Sequence, residues 1–348
     1  MNEAEPTSTP IPGNDQLPTV VMAYWDGLEL FDETALAKIA SVGNIADPKP
    51  LSSWDDPRAD DLLAQAEVML GHWGCPPLDA AMLDRAPNLQ LFTYAAGTIK
   101  NMVSDELWNR DIRVTSGANA NAEPVAEFTL AAILMINKDM VWARDRLADP
   151  SIAERRQKPA APIGNWDKTV GIVSASLIGR RVIELLVPFP HLRVALYDPF
   201  VSADEAKALG ATKLGLDELC ATADIVSVHA PLLPATIGLI GTPQLAAMRT
   251  GATLINTSRG PIVDHDALVL EASSGRLSAW LDVTEPEPLP ESHPLRSLPN
   301  VFLTPHQAGS QGSELGRMTD YAIEEIRRWT SGEQALNEIT KSMLDTLA

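Results

Sequence analysis

The chain has 348 residues, more than one hydrophobic core usually organises, so two domains are expected. A composition of 45% hydrophobic and 21% charged residues excludes a chain disordered throughout. The net charge of −19 repels phosphate backbones and anionic lipid, which argues against nucleic-acid and membrane-surface binding. It also means that an anionic substrate must be met by local positive charge. No apolar run approaches the ~20 residues of a membrane span. Met1 to Pro18 carries acids and four prolines without a basic-then-apolar signal pattern, so it reads as a flexible tail of a cytoplasmic protein. Cys75 and Cys220 lie far apart, form no metal-ligand cluster, and read as small buried hydrophobes in a reducing compartment.

In chain order, Thr19 to Trp25 is an apolar run suited to a buried strand. Leu62 to Ala66 is helical, Val68 to Trp73 a strand, and Leu78 to Arg85 a helix ended by Pro87. Leu89 to Ala95 is a strand closed by Gly97; Val103 to Arg110 is a short helix, and Arg113 to Ser116 a further strand. Strands alternating with helices predict a parallel sheet covered on both faces. Glu123 to Arg146 differs: Val125, Phe128, Thr129, Ala132, Ile133, Ile136 and Met140 recur at helical steps. This predicts one long helix with Pro124 in its first turn, carrying the chain from one domain to another. Arg144 to Trp166 reads as an exposed arm, with Arg155, Arg156 and Lys158 on a solvated face. A second alternating block follows, with strands at Thr169–Val173, Arg193–Tyr197, Ile225–Val228, Thr253–Asn256, Ala279–Val283 and Val301–Leu303. Six strands with helices between most of them match a complete dinucleotide-binding fold. Gly312 to Ser331 is amphipathic and is expected to return to the first domain.

The first strand of the second block runs into a turn reading V-G-I-V-S-A-S-L-I-G, from Val170 to Gly179, with a helix starting near Leu177. In a G-x-G-x-x-G turn the glycines make the bend, admit the pyrophosphate, and let helix and strand pack closely. Here Ser174 and Ser176 hold the first two positions and only Gly179 remains, which predicts weakened cofactor affinity. The helix N-terminus can still hold a pyrophosphate. Asp198 ends the next strand, where an acid accepts hydrogen bonds from both ribose hydroxyls of NAD and repels the extra phosphate of NADP. The Ser-Ala-Ser turn lacks the G-x-S-x-G elbow of a serine hydrolase.

Three later segments carry candidate chemistry: N-T-S-R-G-P-I-V-D from Asn256, L-D-V-T-E-P-E-P-L-P from Leu281 and L-T-P-H-Q-A-G from Leu303. With V-H-A-P-L from Val228 and Thr236 beyond it, they make the chain resemble the D-isomer-specific 2-hydroxyacid dehydrogenases, from about Thr19 to the C-terminal helix. Reducing a 2-keto acid needs a hydride on C2, a proton for the alkoxide and a cation for the carboxylate. Arg259 suits the bidentate carboxylate contact. His306, of the residue type whose free pKa lies near neutrality, suits the proton transfer. A carboxylate beside it would orient the imidazole. The family pattern places that acid at Glu287, with Glu285 as the competitor.

The resemblance further implies that Ser176, Leu177, Ile178, Asp198, Pro231 and Thr236 line the cofactor. Thr257, Ser258, Arg259, His306 and Gly309 do so from the later turns, and Asp282 contacts the nicotinamide end. His229 reads as mainly structural. Ala96 and Gly97, in Y-A-A-G-T from Tyr94, match a loop whose backbone N–H groups grip the substrate carboxylate, beside Arg259 and His306. Trp73 and Trp25 are candidate pocket walls, with a core role favoured for each.

The expected architecture is two doubly wound parallel-sheet α/β domains. Residues 1–122 and 311–348 form a flavodoxin-like substrate domain, and 123–310 an NAD-binding Rossmann domain. The cofactor is expected in the cleft between them, in a homodimer built by the long helix and the arm. The family also resembles transcriptional co-repressors, so a dinucleotide-sensing or vestigial protein-binding module is the alternative to an enzyme.

Overall fold

The computed structural model describes residues 17–26, 30–143 and 163–345. Most of the expected N-terminal tail and arm, including Arg155, Arg156 and Lys158, lies outside the described residues. The chain divides into two compact units, one of residues 1–121 and 311–347 and one of residues 122–310.

The first unit holds a five-stranded sheet of β1 (Thr19–Ala23), β2 (Asn44–Ile45), β3 (Val68–Gly71), β4 (Leu91–Tyr94) and β5 (Arg113–Ser116). The order is β2-β1-β3-β4-β5 with every pairing parallel, the flavodoxin-like arrangement. Helices α1 (Glu33–Ala40), α2 (Ala59–Gln65), α3 (Ala80–Arg85) and α4 (Asp105–Asn109) lie between the strands. Leu63, Met82 and Leu107 cover one face, against Val21, Met69, Phe92 and Val114. Ile39 covers the other, against Val20, Met22, Leu70 and Leu91. Burial on both faces is why these strands are apolar throughout instead of alternating.

The second unit opens with α5 (Ala118–Asn137), which straddles the boundary between the units. It starts before the expected Glu123, so Pro124 sits inside the helix, and it breaks after Asn137; residues 140–143 are helical again, and the expected end at Arg146 lies outside the described residues. Asp139 adopts a left-handed φ of 56°, and the Asn137 carbonyl is taken by the N–H of Gly164 at 2.6 Å. A helix whose last carbonyl accepts from elsewhere is interrupted there, whatever its apolar periodicity promises.

The strands that follow are β6 (Lys168–Val173), β7 (Leu192–Tyr197), β8 (Thr212–Lys213), β9 (Ile225–Val228), β10 (Thr253–Asn256), β11 (Ser278–Leu281) and β12 (Val301–Leu303). Between them run α6 (Leu177–Leu186), α7 (Ala203–Ala208), α8 (Leu216–Thr222), α9 (Thr242–Ala247) and α10 (His265–Ser273). The sheet order is β12-β11-β10-β9-β6-β7-β8, all parallel. β8 extends the six-stranded pattern by one short edge strand. Ile133, Ile136, Ile183 and Leu186 cover one face. Leu219, Leu245 and Leu268 cover the other.

The last helix, α11 (Leu315–Thr330), belongs to the first unit, where Ala322, Ile326 and Trp329 join the core around Val20 and Leu91. The buried Glu325 carboxylate accepts from Leu336 N at 3.1 Å and Asn337 N at 2.9 Å. The tail is thereby tied along β5, where Ile339 N donates to Val114 O.

Each unit carries a buried histidine whose charging would oppose folding. Desolvation pushes both His72 and His229 down to about 3. An unfolded histidine titrates near 6.5. Their contribution is therefore complete above that pH and is lost as pH falls toward 3, by up to about 1.4 kcal/mol per pH unit per histidine. Melting temperature is expected to drop clearly between about pH 7 and pH 5. A flat profile over that range would contradict the buried, neutral imidazoles.

Candidate active site

All the candidate chemistry of the second unit follows the carboxyl ends of its strands, where parallel sheets bind ligands. After β6 the chain turns through Ser174, whose φ of 82° is a conformation that favours glycine. Its N–H donates to Tyr197 O at 2.7 Å. Ser176 caps α6, its hydroxyl accepting from Gly179 N at 3.2 Å. A Cβ on Gly179 would overlap the Ser174 carbonyl oxygen, so helix and strand approach closely only because residue 179 is glycine. Asp198, past the end of β7, is 6% exposed. Its carboxylate accepts from Ala175 N and Phe200 N, each at 2.8 Å, and from the Ser174 hydroxyl at 3.3 Å.

Three neighbouring strands, β10, β11 and β12, supply the rest. Asn256 closes β10 and shapes the next turn, donating to Arg259 O at 2.9 Å and accepting from Ser258 N at 3.0 Å. Arg259 is half-buried and donates one N–H to Ser258 O at 2.7 Å. Burial lowers its pKa from the ordinary value, and the nearby Glu287 charge opposes that shift. A Cβ on Gly260 would overlap the Thr284 carbonyl, so this glycine lets the arginine turn lie against the chain segment that leads to Glu287. His306 follows β12 with a left-handed φ of 53°. Its Nδ1 lies 2.5 Å from Glu287 Oε1, with the imidazole side chain 50% exposed. Glu287, rather than Glu285, is the acid paired with the imidazole.

Asp282, expected at the nicotinamide, is buried and bonded within the chain. Its carboxylate accepts from Thr304 Oγ1 at 2.5 Å and from Gln307 N and Ala308 N, each at 2.9 Å. Its carbonyl accepts from His306 N at 2.9 Å. Four bonds from residues 304–308 converge on one aspartate, which makes it the anchor of the histidine turn. Asp282→Ala would orphan three donors, and bonds to a charged acceptor contribute about 1.5–3 kcal/mol each. A loss of about 3 kcal/mol or more in urea unfolding is expected, with a fall in kcat; a variant matching the parent in both would contradict the anchoring role.

The remaining expected cofactor residues are placed as follows. Pro231 and Thr236 share one turn, in which the Thr236 hydroxyl donates to Pro231 O at 2.6 Å. Thr257 Oγ1 is buried against Thr129 Oγ1 at 3.1 Å. Ser258 donates to Ala230 O at 2.5 Å. Leu177 is 49% exposed at the first position of α6, with Ile178 next and partly exposed, and Gly309 lies just past the histidine turn. In the first unit, Ser116 donates to Gly97 O at 2.6 Å and lies 3.3 Å from Ala96 O. A trans peptide points its N–H opposite to its C=O. Tying these carbonyls to Ser116 therefore turns the N–H groups of Gly97 and Thr98 the other way. Trp25 is 63% exposed rather than in the core, while Trp73 packs partly buried against it. Asn256, Gly260 and Thr304 were not singled out in the sequence. The N-T-S-R-G run and the threonine before the Pro–His pair were the available signals.

The family model for the D-isomer-specific 2-hydroxyacid dehydrogenase NAD-binding domain matches residues 130–308. The chain belongs to this family. A glyoxylate reductase of Thermofilum pendens is 34% identical over 77% of this chain and 79% of its own length. A D-3-phosphoglycerate dehydrogenase of Mycobacterium tuberculosis is 33% identical over 91% of this chain, which spans 58% of that relative's length. A phosphoglycerate oxidoreductase from Rhizobium etli has the same fold, with a TM-score of 0.75 at 26% identity, covering 93% of this chain and 99% of that one. Among the described residues, no helix is long and apolar enough to cross a membrane.

The turn fits the dinucleotide that this family's domain binds. Gly179 gives the close helix–strand approach, Asp198 follows the neighbouring strand, and the first-turn N–H groups of Leu177 and Ile178 have no carbonyl of their own helix to bond. The two serines are the departure.

Proposed function

We propose that the chain is an NAD-linked oxidoreductase that interconverts small 2-keto and 2-hydroxy acids. The observation that carries this reading is the 2.5 Å His306–Glu287 pair within electrostatic reach of the half-buried Arg259. NADH, when bound, supplies the hydride for C2. Leu177 and Ile178 N–H groups would hold its pyrophosphate, and Asp198 its adenosine ribose, with the negative charge of Asp198 disfavouring NADP. Arg259 clamps the substrate carboxylate and polarises the carbonyl. Glu287 accepts from Nδ1–H, leaving Nε2–H of His306 to donate a proton to the developing alkoxide oxygen. In the oxidative direction the neutral imidazole takes that proton back. Asp282 holds the turn that aims the ring. In the first unit, the N–H groups at Ala96, Gly97 and Thr98 are the proposed carboxylate donors.

The relatives' names span phosphorylated and unphosphorylated acids. We favour the unphosphorylated class, because the sequence around Tyr94 to Thr98 carries no cluster of basic residues to meet a phosphate. A homodimer built by α5 and the segment after it is also proposed, with light scattering as its test. The decisive experiment follows NADH oxidation with glyoxylate, hydroxypyruvate, pyruvate and phosphohydroxypyruvate. Turnover with an unphosphorylated keto acid is expected. NADH binding without turnover on any of them would overturn the enzymatic reading, and a preference for phosphohydroxypyruvate would overturn the substrate class.

A further inference from the structure

We propose that Ser174 sets cofactor affinity and specificity, because its hydroxyl holds an Asp198 acceptor site that the ribose diol of NAD needs. This rests on the dinucleotide reading above and adds a competitor within the site.

The argument is one of acceptor capacity. A carboxylate has two oxygens with about four lone-pair sites. On Asp198, Oδ2 takes Ala175 N at 2.8 Å and the Ser174 hydroxyl at 3.3 Å, and Oδ1 takes Phe200 N at 2.8 Å. One site, on Oδ1, is left. A vicinal ribose diol brings two donors and is recognised best when each oxygen accepts one. The bonds from Ala175 and Phe200 come from the backbone and hold the turn against β7, so neither yields without unmaking the turn. The Ser174 backbone is fixed as well, its N–H on Tyr197 O at 2.7 Å and its φ at 82°. Only its hydroxyl is free to rotate away. Diol binding must displace that hydroxyl from a charged acceptor, a cost that a glycine at this position would not impose. Loss of the 2′-hydroxyl to a phosphate, as in NADP, removes one of the two competing donors. The serine therefore also narrows the preference for NAD.

The test is calorimetric titration of the full chain, parent against Ser174→Ala, with NADH, NADPH and 2′-deoxy-NADH. The alanine keeps the Cβ and removes the hydroxyl. NADH is expected to bind Ser174→Ala about three- to ten-fold more tightly, the scale of one hydrogen bond. NADPH and 2′-deoxy-NADH, each lacking one diol donor, are expected to change by less than about two-fold. Ser174→Gly should bind NADH at least as tightly as the alanine variant and melt higher, since it also relieves the left-handed backbone. Unchanged or weaker NADH binding by Ser174→Ala overturns the proposal, as does equal tightening for all three ligands. If the parent binds NADH and turns over a keto acid while Ser174→Ala shows no gain, this inference alone falls. If neither protein binds NADH, the dinucleotide reading falls and takes this inference with it.

Discussion

His306→Ala is expected to lower kcat for keto-acid reduction by about 10²-fold or more, the usual worth of a positioned acid or base. The loss belongs to chemistry rather than folding. The imidazole side chain is 50% exposed and bonds through Nδ1 to Glu287, so removal opens no core cavity. Melting temperature should stay close to that of the parent, which separates the two causes. Glu287→Gln keeps the shape and a hydrogen-bond acceptor for Nδ1–H but removes the negative charge beside the ring. It should fall between the parent and the alanine variant. Steady-state turnover of both variants, with melts alongside, checks this; parental turnover by His306→Ala would remove the histidine from the reaction.

Gly260→Ala should damage activity as severely without touching any reacting group. A methyl at this position overlaps the carbonyl of Thr284 and crowds the N of Glu285, all of it backbone. No side-chain rotation relieves such an overlap, so one of the two segments must move. Overpacking of this kind costs about 1–3 kcal/mol in stability. The larger effect is geometric, because the arginine turn and the Glu287 segment meet at this contact. A displacement of about 1 Å between catalytic groups costs roughly 10²-fold in rate. Gly260→Ala is therefore expected to fold, melt several degrees lower and lose about 10²-fold in kcat/KM. Kinetics within three-fold of the parent would show that the two segments adjust independently.

Most of the architecture was legible because buried parallel strands are written as apolar runs. Thr169–Val173, Ile225–Val228 and Thr253–Asn256 could be read almost to the residue. β2 and β8 could not, because two residues have no period to detect. The long helix starts earlier than its apolar pattern and breaks within it, since the break depends on Gly164 donating to the Asn137 carbonyl from 27 positions downstream. Among the proposed site residues, His306 and Arg259 were indicated by residue type, and Glu287 by the family pattern. Asp282 was visible as an acid, but not as an anchor. Its four bonds to residues 304–308 exist only once β11 and β12 lie side by side. Likewise the Ser174 substitution was plain in the sequence, whereas the hydroxyl's hold on Asp198 appeared only with β7 beside β6.

The strand order separates two responsibilities. The serine turn and Asp198 follow β6 and β7 on one side of the reversal between β6 and β9, while the arginine, acid and histidine follow β10, β11 and β12 on the other. A protein engineer could therefore retune coenzyme choice at residues 174–176 and 198 while leaving proton delivery alone. On the proposed reading, the same partition keeps the serine turn on one flank apart from Arg259, Glu287 and His306 on the other.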